Sequence, residues 1–358
     1  MVSILITSCA TTNTDDTISA IQAAGMGMSE VNTRATAEIP KLQIAANKGD
    51  VDAQVKLGQY YYAGIGVKQD YKQAFTWLYK AGTAGNPEAL FYLGEMYTKG
   101  YGVPKDKDYA AAAYAAAYEE GHVGAENMII NSNLEYEVGK IYYVNAKGSG
   151  EYYKEAYKWL QKAADKGNDW AYEYLGEMYD MGLGVPRSEA KAFAAYLKLA
   201  TNKERDSVGK LRVGEMYYSG QGVAKDYTKA FEWFVKSATN KNAIAQARVG
   251  EMYYQGRGTT KDYVKAFEAY HIATHTVLES ARNSAIYGND TAKKAYEKQS
   301  AIAHTNYEDS YEKLSKVGSA DYQKDSHSQL RAKAVKWFKE VCSAGNRDSC
   351  EISKFLGE

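Results

Sequence analysis

His271 and His275 stand four residues apart and Glu279 four further on, so a helix would carry all three on one face, the residue types and spacing that hold zinc. No fourth His, Asp or Cys is fixed beside them by the sequence. In a helix this polar the same spacing describes three solvent-facing side chains, so no metal and no other cofactor is expected. Three cysteines are present, Cys9, Cys342 and Cys350, and none stands in a motif that pairs a thiolate with a base. Paired glycines such as Gly220 and Gly222 recur along the chain. They lack the Lys and the helix start of a phosphate-cradling loop, and they read as turns. No set of nucleophile, base and oxyanion donors assembles, so no catalytic residue is expected.

Composition narrows the partners. Forty-four basic residues balance forty-four acidic ones in 358, which removes the electrostatic case for nucleic acid or an anionic membrane surface. No run of 18 apolar residues is present, so a membrane is reached only through a lipid. Ile6-Thr7-Ser8-Cys9 reads in two ways: as a bacterial lipobox with Cys9 as the lipidated residue, or as a chance match in a disordered N-terminus. The segment before Cys9 is short and has no Lys or Arg, a poor signal peptide unless the true start lies upstream of Met1. Residues 10–37, rich in Thr, Ala, Asn and Asp, read as a flexible tether.

The elements that position everything else come from a repeat. "VGEMYYSGQGVAKDY" at 213–227 returns as "VGEMYYQGRGTTKDY" at 249–263, a period that marks stacked supersecondary units. With Gly58, Gly94, Gly139, Gly176, Gly214 and Gly250 as register, the spacings are 36, 45, 37, 38 and 36. Tyr follows each glycine by three residues, and a large aromatic (Trp77, Tyr114, Trp159, Tyr196, Trp233, Tyr270) follows by 19 or 20. Ala89, Leu93 and Tyr97 form the apolar face of a first helix in which Gly94 admits a close neighbour. A double-Gly turn breaks it. Asp70, Asp108, Asp226 and Asp262 then stand where N-caps belong, and "AGN" or "KGN" closes each hairpin. Helices are expected near 50–62, 71–83, 87–99, 108–119, 152–165, 169–180, 189–201, 206–218, 227–239, 243–255 and 262–286.

These residues, in the pattern "LGxMYxxGxGVxxDxxKAFxW" that is clearest in 50–104 and 166–270, resemble the Sel-one-like repeat (SLR) family, a relative of the tetratricopeptide repeat. The resemblance implies an all-α, right-handed superhelical solenoid of stacked antiparallel helical hairpins, and adaptor work rather than a particular reaction. The plan is a lipobox-like segment and tether at 1–37 and a solenoid of about six hairpins at 38–270. The hairpin within 105–150 is irregular, 271–317 is a long non-repeat helical excursion, and 318–358 is a terminal SLR-like hairpin. Cysteine-rich exported members of the family carry disulfides that clamp a hairpin, and Cys342 and Cys350 flank the last "AGN" turn. The resemblance implies a bond between them and hence an oxidising compartment; two reduced apolar cysteines are the other reading.

The binding surface is read from the first helices. Two residues before and one after each register glycine stand Lys56 and Gln59, Tyr92 and Glu95, Glu137 and Lys140, Tyr174 and Glu177, Arg212 and Glu215, Arg248 and Glu251. Stacking would align them as a two-column strip, which in the tetratricopeptide arrangement lines the concave surface. Tyr92, Glu95, Tyr174, Glu177, Arg212, Glu215, Arg248 and Glu251 are the candidate contacts. Opposite charges three apart on a helix also neutralise one another without a partner, and the Tyr-rich stretch 271–317 is a rival surface. The expected protein is non-catalytic, periplasmic and engaged with a protein partner, with a tether through Cys9 on the lipobox reading. Periplasmic lipoproteins of the family include immunity proteins against type VI secretion effectors. The alternatives are an enzyme like the cysteine-rich relatives proposed to bind or hydrolyse β-lactams, and a secreted factor engaging a host protein.

Overall fold

A computed structural model describes residues 27–201, 206–262, 265, 266, 268–273, 275, 276, 336 and 339. Among these residues every regular element is helical. In chain order the helices are α1 (Met28–Asn47), α2 (Val51–Ala63), α3 (Tyr71–Thr83), α4 (Pro87–Lys99), α5 (Lys107–Glu119), α6 (Ala125–Asn131), α7 (Glu135–Asn145), α8 (Gly150–Asp165), α9 (Ala171–Met181), α10 (Glu189–Leu199), α11 (Asp206–Ser219), α12 (Tyr227–Ala238) and α13 (Ala243–Gln255). They fall into two compact units divided between Ala171 and Tyr172. Within the first, α2 packs on α3, α4 on α5 and α7 on α8; within the second, α11 packs on α12. Consecutive hairpins meet through α3 with α4 and α12 with α13, so the fold is the stack of antiparallel helical hairpins that the repeat implies.

Why each hairpin turns where it does follows from one recurring bond. The backbone N–H of the N-cap residue of the second helix donates to the carbonyl of the tyrosine nine residues earlier: Asp70 to Tyr61, Asp106 to Tyr97, Ser188 to Tyr179, Asp226 to Tyr217, Asp262 to Tyr253. That fixed reach corrects one expected cap. Asp106, not Asp108, caps α5, accepting from the Tyr109 amide at 3.0 Å, and Asp108 lies in the first turn. The first glycine of each double-Gly turn is a left-handed C-cap, as at Gly64, Gly100 and Gly256. The second serves the stack: a β-carbon on Gly222 (φ +67) would overlap the Glu189 carbonyl at the start of α10, and on Gly258 (φ +69) the Tyr227 carbonyl at the start of α12.

The register glycines are packing positions. A β-carbon on Gly58, Gly94, Gly139, Gly176, Gly214 or Gly250 would come within 3.0 Å of Leu78, Tyr114, Leu160, Tyr196, Phe234 or Tyr270 respectively. Where the sequence shows a Trp at this place, the next residue fills the gap instead. Trp77, Trp159 and Trp233 each carry the Lys three residues later over the ring, Lys80 at 4.1 Å, Lys162 at 4.6 Å and Lys236 at 4.5 Å.

Two departures from the sequence reading concern whole elements. The tether expected over 10–37 gives way to helix from Met28, because Val31, Ala35 and Ile39 recur every four residues and are buried in one core with Leu57, Tyr60 and Trp77. The irregular stretch 105–150 contains an extra short helix, α6, and in its hairpin turn Lys147 takes the left-handed conformation (φ 45) that glycine supplies elsewhere. Helix α6 is tied to α8 through Glu126, which accepts from Lys162 at 2.8 Å and lies 3.5 Å from Lys158. The Lys162 hydrogen bond and the charge of both lysines hold the Glu126 carboxyl below its ordinary range. A depressed carboxylate pKa contributes stability that is present above the unfolded value, near 4.3, and lost as pH falls through the folded value. The thermal stability advantage of the wild type over Glu126→Gln is therefore expected at pH 7 and should vanish toward pH 3; an advantage that grows with acid would contradict the pairing.

Candidate functional site

The first helices α2, α4 and α7 in the first unit, and α9, α11 and α13 in the second, each present the two positions that flank the register glycine. In the first unit Lys56 donates to Glu38 of α1 at 2.5 Å and Gln59 to Glu88 of α4 at 3.1 Å, so both tie neighbouring elements. Tyr92 is half-buried and meets the Tyr62 ring edge-on at 5.1 Å. Glu95 is only 3% exposed and pairs with Lys99 at 2.5 Å. Burial and the Glu95 charge push the Tyr62 hydroxyl far above the ordinary phenol range.

In the second unit the strip is a ladder of charges. Arg212 donates to Glu215 on its own helix at 3.1 Å, and Arg248 of α13 reaches back to the same carboxylate at 2.9 Å. Burial works against the Arg212 charge, but Glu215, Tyr196 and Glu177 overcome it, so its pKa is raised and it stays a cation. Tyr174 and Glu177 are half-buried on α9, as are Arg212, Glu215 and Arg248 on their helices. Glu251 is 2% exposed and accepts from the Tyr270 hydroxyl and from Gln255.

Glu95 and Glu251 thus differ from the expected contact residues. Both are buried; Glu95 pairs within its own helix with Lys99, and Glu251 joins its helix to Tyr270. Where a Tyr rather than Leu or Phe fills the glycine gap, a phenol enters the core, and a buried polar group is costly without a partner. For Tyr270 the Glu immediately after the glycine is that partner. The other six candidates keep part of their surface. Sequence reasoning saw the pairs within one helix but missed the bond from Arg248 to Glu215, although a separation of one period less three was available as its signal.

His271 and His275 lie among the described residues, half-buried and exposed respectively, while Glu279 lies outside them. Among the described residues no group of three His, Cys, Asp or Glu is placed to hold a metal ion, and no helix is long and apolar enough to cross a membrane. Cys9, Cys342 and Cys350 lie outside the described residues, as does most of 271–317.

The profile of the Sel1 repeat matches residues 51–86, 87–122, 135–168, 171–202, 207–242, 243–273 and 325–346. The chitin synthase regulator SKT5 of Saccharomyces cerevisiae is 26% identical over 213 residues, 48% of this chain and 30% of that protein, so the chain spans less than a third of that relative's length. A protective antigen of uropathogenic Escherichia coli with an SLR fold is 29% identical, over 94% of this chain and 73% of its own, with a TM-score of 0.40. A Sel1 repeat protein from Oxalobacter formigenes is 27% identical, over 68% of this chain and 96% of its own, with a TM-score of 0.35. The matched repeats cover more than half of the chain and begin where the first helices begin, at Val51, Pro87, Glu135, Ala171 and Ala243; the chain belongs to the Sel1 repeat family.

Proposed function

We propose that this chain is a non-catalytic adaptor that binds a protein partner on the first-helix face of its second unit, through Tyr174, Glu177, Arg212, Glu215 and Arg248. The observation that carries this reading is the bond of one carboxylate, Glu215, to arginines of two successive repeats, at 3.1 and 2.9 Å. Such pairing holds two guanidinium groups in fixed, half-buried positions, so a partner meets them without the entropic cost of ordering long side chains. Helical repeat stacks expose extended surfaces of this kind, and Sel1 repeats in general mediate protein–protein binding. Affinity capture from the native host, with wild type and a Tyr174→Ala, Arg212→Ala, Arg248→Ala variant side by side, tests this; a protein retained equally by both does not bind this face.

The finer reading is export. On this reading Cys9 is lipidated and Cys342 is bonded to Cys350, which would put the chain in the periplasm, with a secreted effector as the partner it would neutralise. Alkylation of protein from the native host without reductant, followed by intact-mass measurement, should label Cys9 alone, or nothing if Cys9 is lipidated. Labelling of Cys342 and Cys350 would remove the case for export.

A further inference from the structure

His122, in the turn between α5 and α6, is a buried titratable side chain that the candidate binding face does not use; its ring is 4% exposed. Both ring nitrogens are engaged. The Gly124 backbone N–H donates to Nδ1 at 3.2 Å, and Nε2 lies 3.1 Å from the Glu88 carboxylate. A backbone N–H can only donate, so Nδ1 carries a lone pair and the one proton of the neutral ring sits on Nε2, facing Glu88. The Phe91 ring stacks on the imidazole at 4.2 Å, and a β-carbon on Gly124 would come 3.3 Å from the imidazole on its other flank. The ring is held between α4 and the turn.

The charged group that meets the ring is Glu88, from the first turn of α4; its other oxygen accepts from Gln59 of α2, a neutral group, at 3.1 Å. From α6 the first-turn acid is Glu126, which is directed to Lys162 and Lys158 of α8. From α5 the closing acids are Glu119 and Glu120, both exposed. That helix holds His122 through its backbone, the Ala117 carbonyl accepting the His122 N–H at 2.8 Å.

We infer that His122 is a proton-operated latch: a second proton on its ring releases the Gly124 amide and loosens the start of α6. That proton goes to Nδ1, the nitrogen with the lone pair, and sets two N–H groups against each other across 3.2 Å. The bond from Nε2 to Glu88 then joins opposite charges and keeps the ring in place, so the backbone is the part that yields. It is free to do so. Gly121 (φ +82) and Gly124 bracket the turn, and Gly124 is the N-cap of α6, with no side chain to replace the lost acceptor. The Gly124 carbonyl accepts from Met128 and the His122 carbonyl from Ala125, so a displaced Gly124 disturbs the first turn of a seven-residue helix whose Ala125 and Ile129 are buried. A helix that short has little cooperativity of its own to resist. The latch does not depend on the adaptor reading.

The test is NMR of the isotope-labelled full chain from about pH 8 to about pH 5, the range in which histidines charge. The His122 ring carbons and the Gly124 amide are expected to titrate together. Amide exchange at 124–129, corrected for its intrinsic pH dependence, should speed by about tenfold or more at the acid end while α4 keeps its protection. Glu126 stays ionised over this range, because the Lys162 hydrogen bond and both lysine charges hold its carboxyl below the ordinary value. His122→Asn offers the Gly124 N–H an amide oxygen that takes up no proton, and its exchange should be alike at both ends. A ring that gains its proton with the Gly124 amide unmoved, a ring that stays neutral to about pH 5 in the folded chain, or a His122→Asn chain that opens as the wild type does would each overturn the latch. The wild-type titration decides by itself if His122→Asn does not fold.

Discussion

Replacing Gly222 with Ala is expected to destabilise the second unit by about 2–5 kcal/mol, the sum of forcing a side chain into the left-handed region and overpacking a contact that cannot yield. The obstruction is the Glu189 carbonyl and the following amide, all backbone. Backbone at a helix start does not swing aside as a side chain does, so α10 itself would have to shift. Gly220→Ala is the control. Its φ is also positive, +84, but its β-carbon would approach no atom nearer than the Lys225 β-carbon at 3.1 Å, so nothing overlaps. About 1–2 kcal/mol is expected there, from the left-handed conformation alone. Urea denaturation of both variants, read at helical and tyrosine signals, separates the two costs. Equal losses would mean that the second glycine of the turn is only a bend, and that the joint between hairpins lies elsewhere.

This distinction was hidden in the sequence. Both glycines of "SGQG" recur equally, and periodicity assigns both to a turn; only the approach of one hairpin to the next separates a C-cap from a contact point. The helix pairs themselves were legible because their signals are local. Capping Asp or Asn, closing Gly and an apolar residue every third or fourth position set boundaries such as Tyr71–Thr83 and Pro87–Lys99. Helix α1 was missed because its buried face is three small or branched residues, Val31, Ala35 and Ile39, in a polar background that also describes a tether. Helix α7 carried the register Gly139 yet no span was drawn through it, since the turn after it uses Lys147 and Gly148 in place of the usual pair.

The candidate strip was legible as positions but not as roles. Its spacing puts Glu95, Glu177, Glu215 and Glu251 in equivalent places, and sequence alone treats them alike. Glu251 and Glu215 differ in the neighbour across the hairpin. At Gly250 the gap takes Tyr270, whose phenol turns Glu251 inward. At Gly214 it takes Phe234, which asks for no acceptor, and Glu215 is left for Arg212 and Arg248. Charge patterning along one helix cannot show this, because the deciding residue is about 20 positions away.

The central claim is that this ladder is a contact surface and not merely a brace between repeats. A brace is worth little at the exposure of Arg212 and Glu215, 37% and 25%, where salt bridges contribute on the order of 0.2–1 kcal/mol. A contact surface is worth much more, since truncating anchors of Tyr and Arg commonly costs more than about 2 kcal/mol of binding, roughly thirtyfold in Kd. The balanced overall charge adds that recognition depends on these local groups more than on long-range steering, so it should tolerate moderate salt. The most direct measurement is the Kd of the isolated partner for the wild type and for the Tyr174→Ala, Arg212→Ala, Arg248→Ala variant at matched salt, with circular dichroism to show equal helicity. The account predicts a Kd raised at least about thirtyfold with helicity unchanged. An unchanged Kd, with binding lost instead on altering Tyr296, Tyr307 and Tyr311, would contradict it and move the contact to the 271–317 stretch.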